Sequence, residues 1–321
     1  MPELPEIETI KIELQKKIIG SKLTKIQILS PKSLQNEKGQ PFDYAQGLQG
    51  RKVLNIWRRA KILGIDLSSS LRDHEVAKQS STDNNEIARN DKKVTLLFHL
   101  KMSGQLVWKG KRGKGKEESF IGGHPTEDML GKMPNIHTRV IFSFADGSHL
   151  YFNDLRRFGW VKVVRSEKCK VQSEEVLGKL GPEPLEKGFI WQILKTNLLK
   201  HKTQVVKVAL MDQTVVAGIG NIYASEALFN AKIDPRTKVS QLTDRQIQSL
   251  HQGVLRALRD GIKYGGSTRA HFVDAQGHKG YFLDYAYVYG RSGHKCKICG
   301  AQIKKIQQAG RGTYLCPSCQ R

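Results

Sequence analysis

AGIGNIYASE, residues 217–226, contains a Gly-x-Gly of the kind that opens dinucleotide-binding folds. That fingerprint needs a third glycine three positions after the second, and Tyr223 stands there instead. No alternation of strand, helix and strand surrounds the stretch, so the sequence argues against a doubly wound nucleotide-binding fold. What remains is a glycine-rich turn that runs into a helix. The N–H groups at such a helix N-terminus bind anions, and we expect a DNA phosphate there because the chain is strongly basic.

The charge of the chain indicates a polyanionic partner. Its 321 residues include 53 Lys and Arg against 30 Asp and Glu, which gives a net charge of +23 and a pI near 9.8. Nucleic acid is the simplest such partner, and an anionic membrane surface is the alternative. The sequence has no run of about 18 apolar residues and no signal-peptide pattern, so we predict a soluble, cytosolic protein with no membrane partner. The length favours two domains.

N-terminal to the glycine-rich stretch, the pattern is that of one helix followed by short strands. Apolar residues from Ile7 to Ile18 recur at helical spacing, and Gly20 ends that helix. Two polar stretches, 68–93 and 109–133, are predicted to be flexible insertions. Several short strands in succession favour a sandwich or a barrel. The predicted strands are Lys25–Leu29, Arg51–Trp57, Ile62–Leu67, Val94–Leu100, Gln105–Trp108, Thr138–Phe144 and His149–Asn153.

From about residue 170 onward the pattern becomes helical. The clearest helix is predicted over Gln241–Tyr264, where Thr243 and Gln246 have the spacing of a capping box and Gly265 follows the end. The chain therefore divides into a β domain, a helical domain and a terminal cysteine-rich module.

The cysteines predict one structural zinc ion. Cys296 and Cys299 form one CxxC, Cys316 and Cys319 form another, and 16 residues separate the two pairs. This spacing is typical of a tetrahedral four-thiolate zinc site. A thioredoxin-type redox site would need one CxxC near a βαβ unit, which is absent. The fifth cysteine, Cys169, is predicted to be an ordinary thiol.

The chain resembles the bacterial formamidopyrimidine-DNA glycosylases over nearly its whole length outside the two polar stretches. The shared motifs, in order, are MPELPEIET, HLKMSG, DLRRFG, LGPEPL, GIGNIYASE, GGST, GYF and the paired CxxC knuckles. The resemblance implies an α+β fold. Its parts are an N-terminal catalytic β-sandwich with a leading helix (2–166), a linker (167–187), a helix–two-turn–helix domain with a base-recognition loop (188–284) and a zinc finger (285–321).

The same resemblance implies a bifunctional DNA glycosylase and abasic-site lyase for oxidised purines such as 8-oxoguanine and formamidopyrimidines in duplex DNA. Members of the family lose Met1 and use the amine of Pro2 as a nucleophile on the sugar, with Glu3 as general acid–base. An α-amine has a pKa of about 7.7–8.0, so far more of it is unprotonated near neutrality than of a lysine. The expected partner is damaged double-stranded DNA, bound by a monomer in the bacterial cytoplasm in association with the nucleoid.

Further roles are carried over from the family by motif. Glu6 and Glu226 are expected to be structural. The expected catalytic and phosphate-binding residues are Lys61, Asn221 and Arg311, the residues that enter the duplex are Met102, Arg156 and Phe158, and His137 is expected to contact DNA.

The chain departs from the family pattern in its DNA-facing motifs. Lys101 and Leu155 replace a glycine and a proline, while Ile136 and Arg139 replace a lysine and a histidine. These changes bear on lesion preference more than on catalysis.

Two other functions stay open at this point. One is an endonuclease VIII-like glycosylase for oxidised pyrimidines, although that branch opens with PEGPE and lacks the wedge of Arg156 and Phe158. The other is a non-catalytic zinc protein that binds nucleic acid, against which the intact Pro2 and Glu3 argue.

Overall fold

The computed structural model describes residues 1–42, 45–69, 93–112, 115–123, 132–165, 177–267 and 282–321. This part of the chain forms two compact units. Unit 1 holds residues 1–2 and 7–165, and unit 2 holds residues 3–6, 177–267 and 282–321. The first helix, α1 (Leu4–Ile18), contributes its first turn to unit 2 and its remainder to unit 1.

Unit 1 contains two five-stranded sheets. In the first sheet every neighbouring pair is antiparallel, in the order β1-β8-β9-β6-β7. The second sheet has the order β2-β10-β5-β4-β3, and its β2–β10 pair is parallel. The strands are β1 (Leu23–Ile28), β2 (Leu34–Gln35), β3 (Val53–Arg59), β4 (Ile62–Leu67), β5 (Val94–His99), β6 (Gly104–Arg112), β7 (Lys116–Gly123), β8 (Thr138–Phe144), β9 (His149–Asp154) and β10 (Trp160–Arg165).

One apolar core joins both sheets and the greater part of α1. Phe98 of β5 packs edge-on against Phe142 of β8 and Phe152 of β9, with ring centroids 5.7 and 6.4 Å apart. The side chains that face each other across the two sheets thus bury one another, which is the condition for a β-sandwich. The predicted sandwich is confirmed.

Each of the seven predicted strands corresponds to a strand of the structure, but the sequence prediction missed β2, β7 and β10. β4 and β8 have the predicted bounds, and the other predicted strands shift by a few residues at their ends. The polar stretch 109–133 is not simply a flexible insertion, because it contains the end of β6 and all of β7. The charged side chains of β7 lie on an edge strand, where they need no burial. Most of the other stretch, 68–93, lies outside the described residues, as does Cys169.

In its described residues, unit 2 is helical apart from one hairpin and the turns and loops between the elements. Its longest helix, α5 (Asp244–Lys263), has the predicted capping box, since Thr243 Oγ1 accepts the Gln246 N–H at 3.3 Å and Gln246 Oε1 accepts the Thr243 N–H at 2.9 Å. Among the described residues, no helix is both long and apolar enough to cross a membrane. The other elements are α2 (Trp191–Leu199), α3 (Val206–Met211), α4 (Asn221–Asn230), α6 (Phe282–Tyr285), β11 (Lys304–Gln308) and β12 (Arg311–Leu315). The predicted domain boundaries stay predictions.

We predict that replacing residues 69–92 by Asn-Gly leaves unit 1 folded. Leu67 and Val94 are paired neighbours in the β4–β5 ladder, so a two-residue type I′ turn can join the strands without changing their register. A shorter connection also costs less closure entropy. The melting temperature of the shortened protein is expected to stay within about 3 °C of the parent. Loss of a cooperative transition would contradict this.

Candidate active site

The carboxylate of Glu3 lies at the N-terminus of α4. Its Oε2 accepts the N–H groups of Gly220 at 2.7 Å and Tyr223 at 3.3 Å, and its Oε1 accepts that of Ile222 at 3.0 Å. These are the amides that a helix leaves without internal partners, and the helix dipole favours an anion there. The prediction that a DNA phosphate binds these amides was wrong, because the Glu3 carboxylate of the protein itself accepts their hydrogen bonds.

The glycines of this turn are required by close packing. A Cβ on Gly220 would lie 2.4 Å from Cδ of Glu3, and a Cβ on Gly218 would lie 2.7 Å from the side chain of Leu4. Gly218 also has φ +87°, which favours glycine. The two glycines therefore leave the space in which Glu3 and Leu4 pack against the N-terminus of α4.

Glu6 ties the same segment to the rest of unit 2. Its Oε2 accepts the Glu3 N–H at 2.7 Å, and its Oε1 accepts both the Tyr223 hydroxyl and the Ser267 N–H at 2.7 Å. Burial, and then the charge of Glu6, raises the pKa of Tyr223 well above its ordinary value. The structural role expected of Glu6 is confirmed by these contacts.

Glu226 has a similar structural role at the start of the finger. Its buried carboxyl group accepts three consecutive backbone N–H groups, those of Tyr287, Val288 and Tyr289, at 2.8–3.0 Å. Burial raises the pKa of Glu226, and the three hydrogen bonds oppose that effect. The structural role expected of Glu226 is confirmed.

Asn221, the first residue of α4, connects the helix to β12. Its Nδ2 donates to the carbonyl of Gly312 at 3.0 Å, and its Oδ1 accepts from Nζ of Lys207 at 2.6 Å. Lys207 is only 1% exposed and also donates to Oγ1 of Thr313 at 2.6 Å. Burial lowers the pKa of Lys207 to about 8; nearby Glu3 opposes this effect and Arg311 adds to it.

Arg311 is exposed at the start of β12, directly after a two-residue turn. In that turn Ala309 and Gly310 both have positive φ, 45° and 73°, as a type I′ hairpin requires. The turn thereby places Arg311 directly before Gly312 and Thr313, the residues to which Asn221 and Lys207 donate hydrogen bonds.

The four predicted zinc ligands converge. The Sγ atoms of Cys296, Cys299, Cys316 and Cys319 all lie within 4.8 Å of one another. Two of the Sγ–Sγ distances are 3.9 and 3.4 Å, near the roughly 3.8 Å that a tetrahedron with Zn–S bonds of about 2.3 Å requires. The Ala301 N–H donates to the sulfur of Cys299 and lowers the pKa of that thiol to about 7, and the Ile298 N–H donates to the sulfur of Cys296 at 3.4 Å. The residues therefore fit one structural zinc ion.

In unit 1, Lys61 lies in the tight turn between β3 and β4. The turn is Ala60-Lys61, with Ala60 at φ 53°, and Lys61 is 7% exposed. Its charge acts on His99, whose pKa is lowered to about 3 by burial and then by Lys101 and Lys61. His99 is therefore neutral at physiological pH, and its Nδ1 accepts the Lys101 N–H at 3.0 Å.

The three expected wedge residues lie on two loops, which we call the first wedge loop (100–104) and the second wedge loop (155–159). Met102 is 42% exposed on the first, and Phe158 is 57% exposed on the second. The guanidinium of Arg156 lies 5.0 Å from the centroid of the Phe158 ring, a cation–π arrangement. Large apolar side chains with this exposure indicate a binding surface more than a core.

Backbone strain marks the same places. Among the described residues of unit 1, the non-glycine residues with positive φ are Ala60, Lys101 and Arg157, and each is next to an expected site residue. Strain of this kind persists where the surrounding structure fixes it, and functional sites are the usual place.

The remaining expected residue, His137, is only 9% exposed, and its N–H donates to Oδ1 of Asn135 at 2.9 Å.

Three family models match successive parts of the chain. They are the formamidopyrimidine-DNA glycosylase N-terminal domain over residues 1–161, the H2TH domain of the same enzymes over 180–273, and the zinc finger found in FPG and IleRS over 293–321. A formamidopyrimidine-DNA glycosylase of Pelotomaculum thermopropionicum is 34% identical over 321 residues, covering 100% of this chain and 99% of the relative. The chain belongs to the formamidopyrimidine-DNA glycosylase family. The predicted family, fold class and zinc site are confirmed.

Similar proteins support the same assignment. The Bacillus subtilis formamidopyrimidine-DNA glycosylase is 34% identical over 320 residues, with 100% of this chain and 99% of the relative covered. The solved complex of Lactococcus lactis Fpg with DNA containing an abasic site has a TM-score of 0.77 and 30% identity, with 99% of both chains covered. A structure of MutM with DNA containing carbocyclic 8-oxo-G has a TM-score of 0.76 and 31% identity, with 100% of both chains covered.

Sequence reasoning missed Lys207 and the helix-capping role of Glu3. The signal for Lys207 was present, since it is a lone cation in the apolar run Val205–Leu210. A charged residue on the buried face of a helix needs a partner, and the partners here come from two other segments of unit 2.

We predict that the stability of the protein relative to a Lys207→Met variant depends on pH. Below about pH 8, Lys207 is charged in both the folded and unfolded states, so folding carries the full cost of burying the charge. Above pH 10.5 it is neutral in both states and that cost is absent. The free energy of unfolding of the parent should therefore rise relative to that of the variant, by on the order of 2 kcal/mol, as the pH increases from about 8 to 10.5.

The measurement is chemical denaturation of both proteins across the window. Lys202→Met, which removes an exposed lysine from the same segment, is the matched control and should give a difference that does not vary with pH. A flat difference for Lys207→Met would show that its charge is not buried.

Proposed function

We propose that this protein excises oxidised purines from duplex DNA and then cleaves the strand at the resulting abasic site, with the amine of mature Pro2 as nucleophile. Family membership and the order of its motifs support the substrate class. The observation that carries the chemistry is the fixed carboxylate of Glu3, which directly follows Pro2 in the chain and is held by three backbone N–H groups.

The nucleophile needs removal of Met1, because the Pro2 nitrogen is otherwise part of a peptide bond. The freed secondary amine attacks C1′ of the damaged nucleotide, the bond to the base breaks, and an iminium forms between protein and sugar. The iminium withdraws electrons from the sugar, so that successive β- and δ-elimination can break the two C–O bonds to phosphate. Water finally hydrolyses the protein–sugar bond and regenerates the amine.

Glu3 is proposed to move protons in these steps. A carboxylate held at a helix N-terminus keeps its orientation without a reorganisation cost, and it can balance the positive charge of the iminium. Gly220 makes this possible, since a side chain at that position would occupy the space of the Glu3 carboxyl group.

Each unit is proposed to supply its own contacts to DNA. In unit 2, Asn221 and Arg311 would bind backbone phosphates, and in unit 1 Lys61 would do so. Extruding a base costs a few kcal/mol and leaves a gap in the stack. Met102 and Phe158 are proposed to fill that gap as apolar wedges, with Arg156 pairing with the orphaned base and His137 contributing to the same surface.

The zinc ion is proposed to act only through the finger, where it holds the hairpin that carries Arg311. The net charge of +23 suits a protein that searches duplex DNA by electrostatic attraction. We further propose that it acts as a monomer in the bacterial cytoplasm, in association with the nucleoid.

Borohydride trapping tests the proposed function. Reducing the iminium on DNA with an 8-oxoguanine or abasic site should give a covalent complex with the parent and at least about tenfold less of it with Pro2→Gly, because that change replaces the ring-held secondary amine by a freely rotating primary amine. Binding to DNA with a stable abasic analogue should stay within about threefold, since no phosphate contact is altered. Pro5→Gly, in the same segment, is the matched control and should still be trapped.

Mass spectrometry of the trapped species decides the outcome. The sugar must be attached to a chain that begins at Pro2. Full trapping of a protein that retains Met1 would overturn the proposed nucleophile, and excision of oxidised pyrimidines in preference to purines would overturn the substrate class.

The zinc finger gives a second prediction. Cys299→Ser should lower DNA affinity and reduce the slope of log affinity against log salt by about 0.9, the effect of losing one phosphate contact. Trapping at saturating protein should persist, because the amine lies outside the finger. Ser318→Ala changes an exposed residue of the second CxxC that does not bind the metal, and it should behave as the parent. An unchanged salt slope in a zinc-free protein would contradict the role of Arg311.

A further inference from the structure

We propose that Asp154 is a positioning residue, whose carboxylate holds the two wedge loops in the arrangement that base extrusion requires. The inference rests on the proposed function and concerns unit 1 alone.

Asp154 is the last residue of β9, and it is 1% exposed. Its Oδ1 accepts from the Ser103 hydroxyl at 2.5 Å and from the Arg156 N–H at 3.2 Å, and its Oδ2 accepts from the Gly159 N–H at 2.6 Å. Ser103 Oγ in turn accepts the Arg156 N–H at 3.0 Å. A single carboxylate therefore binds the residue that follows Met102 and the residues on both sides of Arg157 and Phe158.

The backbone of Asp154 connects a third segment, 135–139, to the same point. Its N–H donates to the carbonyl of His137 at 2.9 Å, and its own carbonyl accepts from Nε of Arg139 at 2.9 Å. Arg139 also donates to the carbonyl of Ile136 at 3.2 Å. The buried guanidinium thus ties this segment to the end of β9.

The second wedge loop is shaped around the carboxylate. A Cβ on Gly159 would lie 3.0 Å from Oδ2 of Asp154 and 2.9 Å from the ring of Phe152, so Gly159 leaves no room for a side chain. This close approach lets the Gly159 N–H reach Oδ2 of Asp154.

The wedge residues depend on this anchor because their own side chains lie largely in solvent. Phe158 is 57% exposed, and Arg157 between the anchored positions has φ 58°. The hydrogen bonds from Arg156 and Gly159 to Asp154, on both sides of these residues, therefore set the direction of the loop. Misplacing a group by about 1 Å can cost on the order of a hundredfold in rate.

An amide cannot replace the carboxylate here. All three bonds are donated to Asp154, and a carboxylate accepts at both oxygens, whereas an asparagine places an N–H₂ group against one of these donors. Asp154→Asn therefore keeps the size of the side chain, removes its charge, and breaks the bond to the Gly159 N–H or the bond to the Arg156 N–H, since the Ser103 hydroxyl can turn to accept from the amide but a backbone N–H cannot.

Asp146→Asn is a matched control. Asp146 Oδ1 also accepts from a serine hydroxyl and a backbone N–H, those of Ser148, but in the β8–β9 turn at the other end of β9. A six-residue strand places the two carboxylates on the order of 20 Å apart.

The experiment compares two reactions in each protein under single-turnover conditions. For Asp154→Asn, excision of 8-oxoguanine from a duplex should fall by about tenfold or more, whereas strand cleavage at a preformed abasic site, where no base has to be extruded, should fall by less than about threefold. Fluorescence of 2-aminopurine placed beside the lesion reports unstacking directly, and its rise on binding should be reduced. Asp146→Asn should match the parent in all three measurements.

Equal losses in the two reactions, or parental excision with an unchanged fluorescence rise, would overturn the inference. If Asp154→Asn does not fold, Ser103→Ala removes two bonds of the same network, those to Asp154 Oδ1 and from the Arg156 N–H, and leaves the bond to Gly159. It should lower the excision-to-cleavage ratio by a smaller factor; an unchanged ratio would overturn the inference equally. A parent protein that excises no oxidised purine would instead refute the proposed function.

Discussion

The contact between the Glu3 carboxylate and the N-terminus of α4 is the interaction on which the rest of unit 2 depends. It satisfies three backbone N–H groups that the helix cannot pair internally, and it places a negative charge at the positive end of the helix. It also immobilises the residue next to the proposed nucleophile. A Glu3 side chain that left this position would expose buried donors at the helix end, so the fold and the proposed chemistry share one contact.

Helix α4 also makes hydrogen bonds to other segments of unit 2 from residues along its length. Its first residue, Asn221, contacts the finger hairpin, and its buried Glu226 accepts three N–H groups from the segment that leads into the finger. One short helix thus fixes the N-terminal segment, the hairpin with Arg311 and the start of the finger. This explains why GNIYASE is so informative a motif, since the letters that define it also make these contacts.

Unit 1 follows a different principle, in which strained loops are supported by a rigid sandwich. The positive φ angles of Ala60, Lys101 and Arg157 each cost free energy, and the paired strands next to them hold them in place. Met102 and Phe158 are exposed at these loops at a further cost in hydration. Exposed large apolar side chains and strained loops are both features of binding surfaces.

The sequence by itself determined the family, the α+β class, the capping box of α5 and the four zinc ligands, because each depends on residues close together in the chain. It also predicted seven of the strands of unit 1, since alternating or continuous apolar residues mark a buried strand. It missed β10, although that strand is apolar, and β7, whose charged side chains suit an edge strand and form no apolar pattern. Only the tertiary structure decided which anion occupies the N-terminus of α4, which partners surround Lys207, and how Asp154 joins the two wedge loops. Glu3 and Gly220 are 217 positions apart, and Ser103 and Asp154 are 51 apart. No local pattern specifies such pairs, because the fold brings them together and their hydrogen bonds form only once both segments are buried.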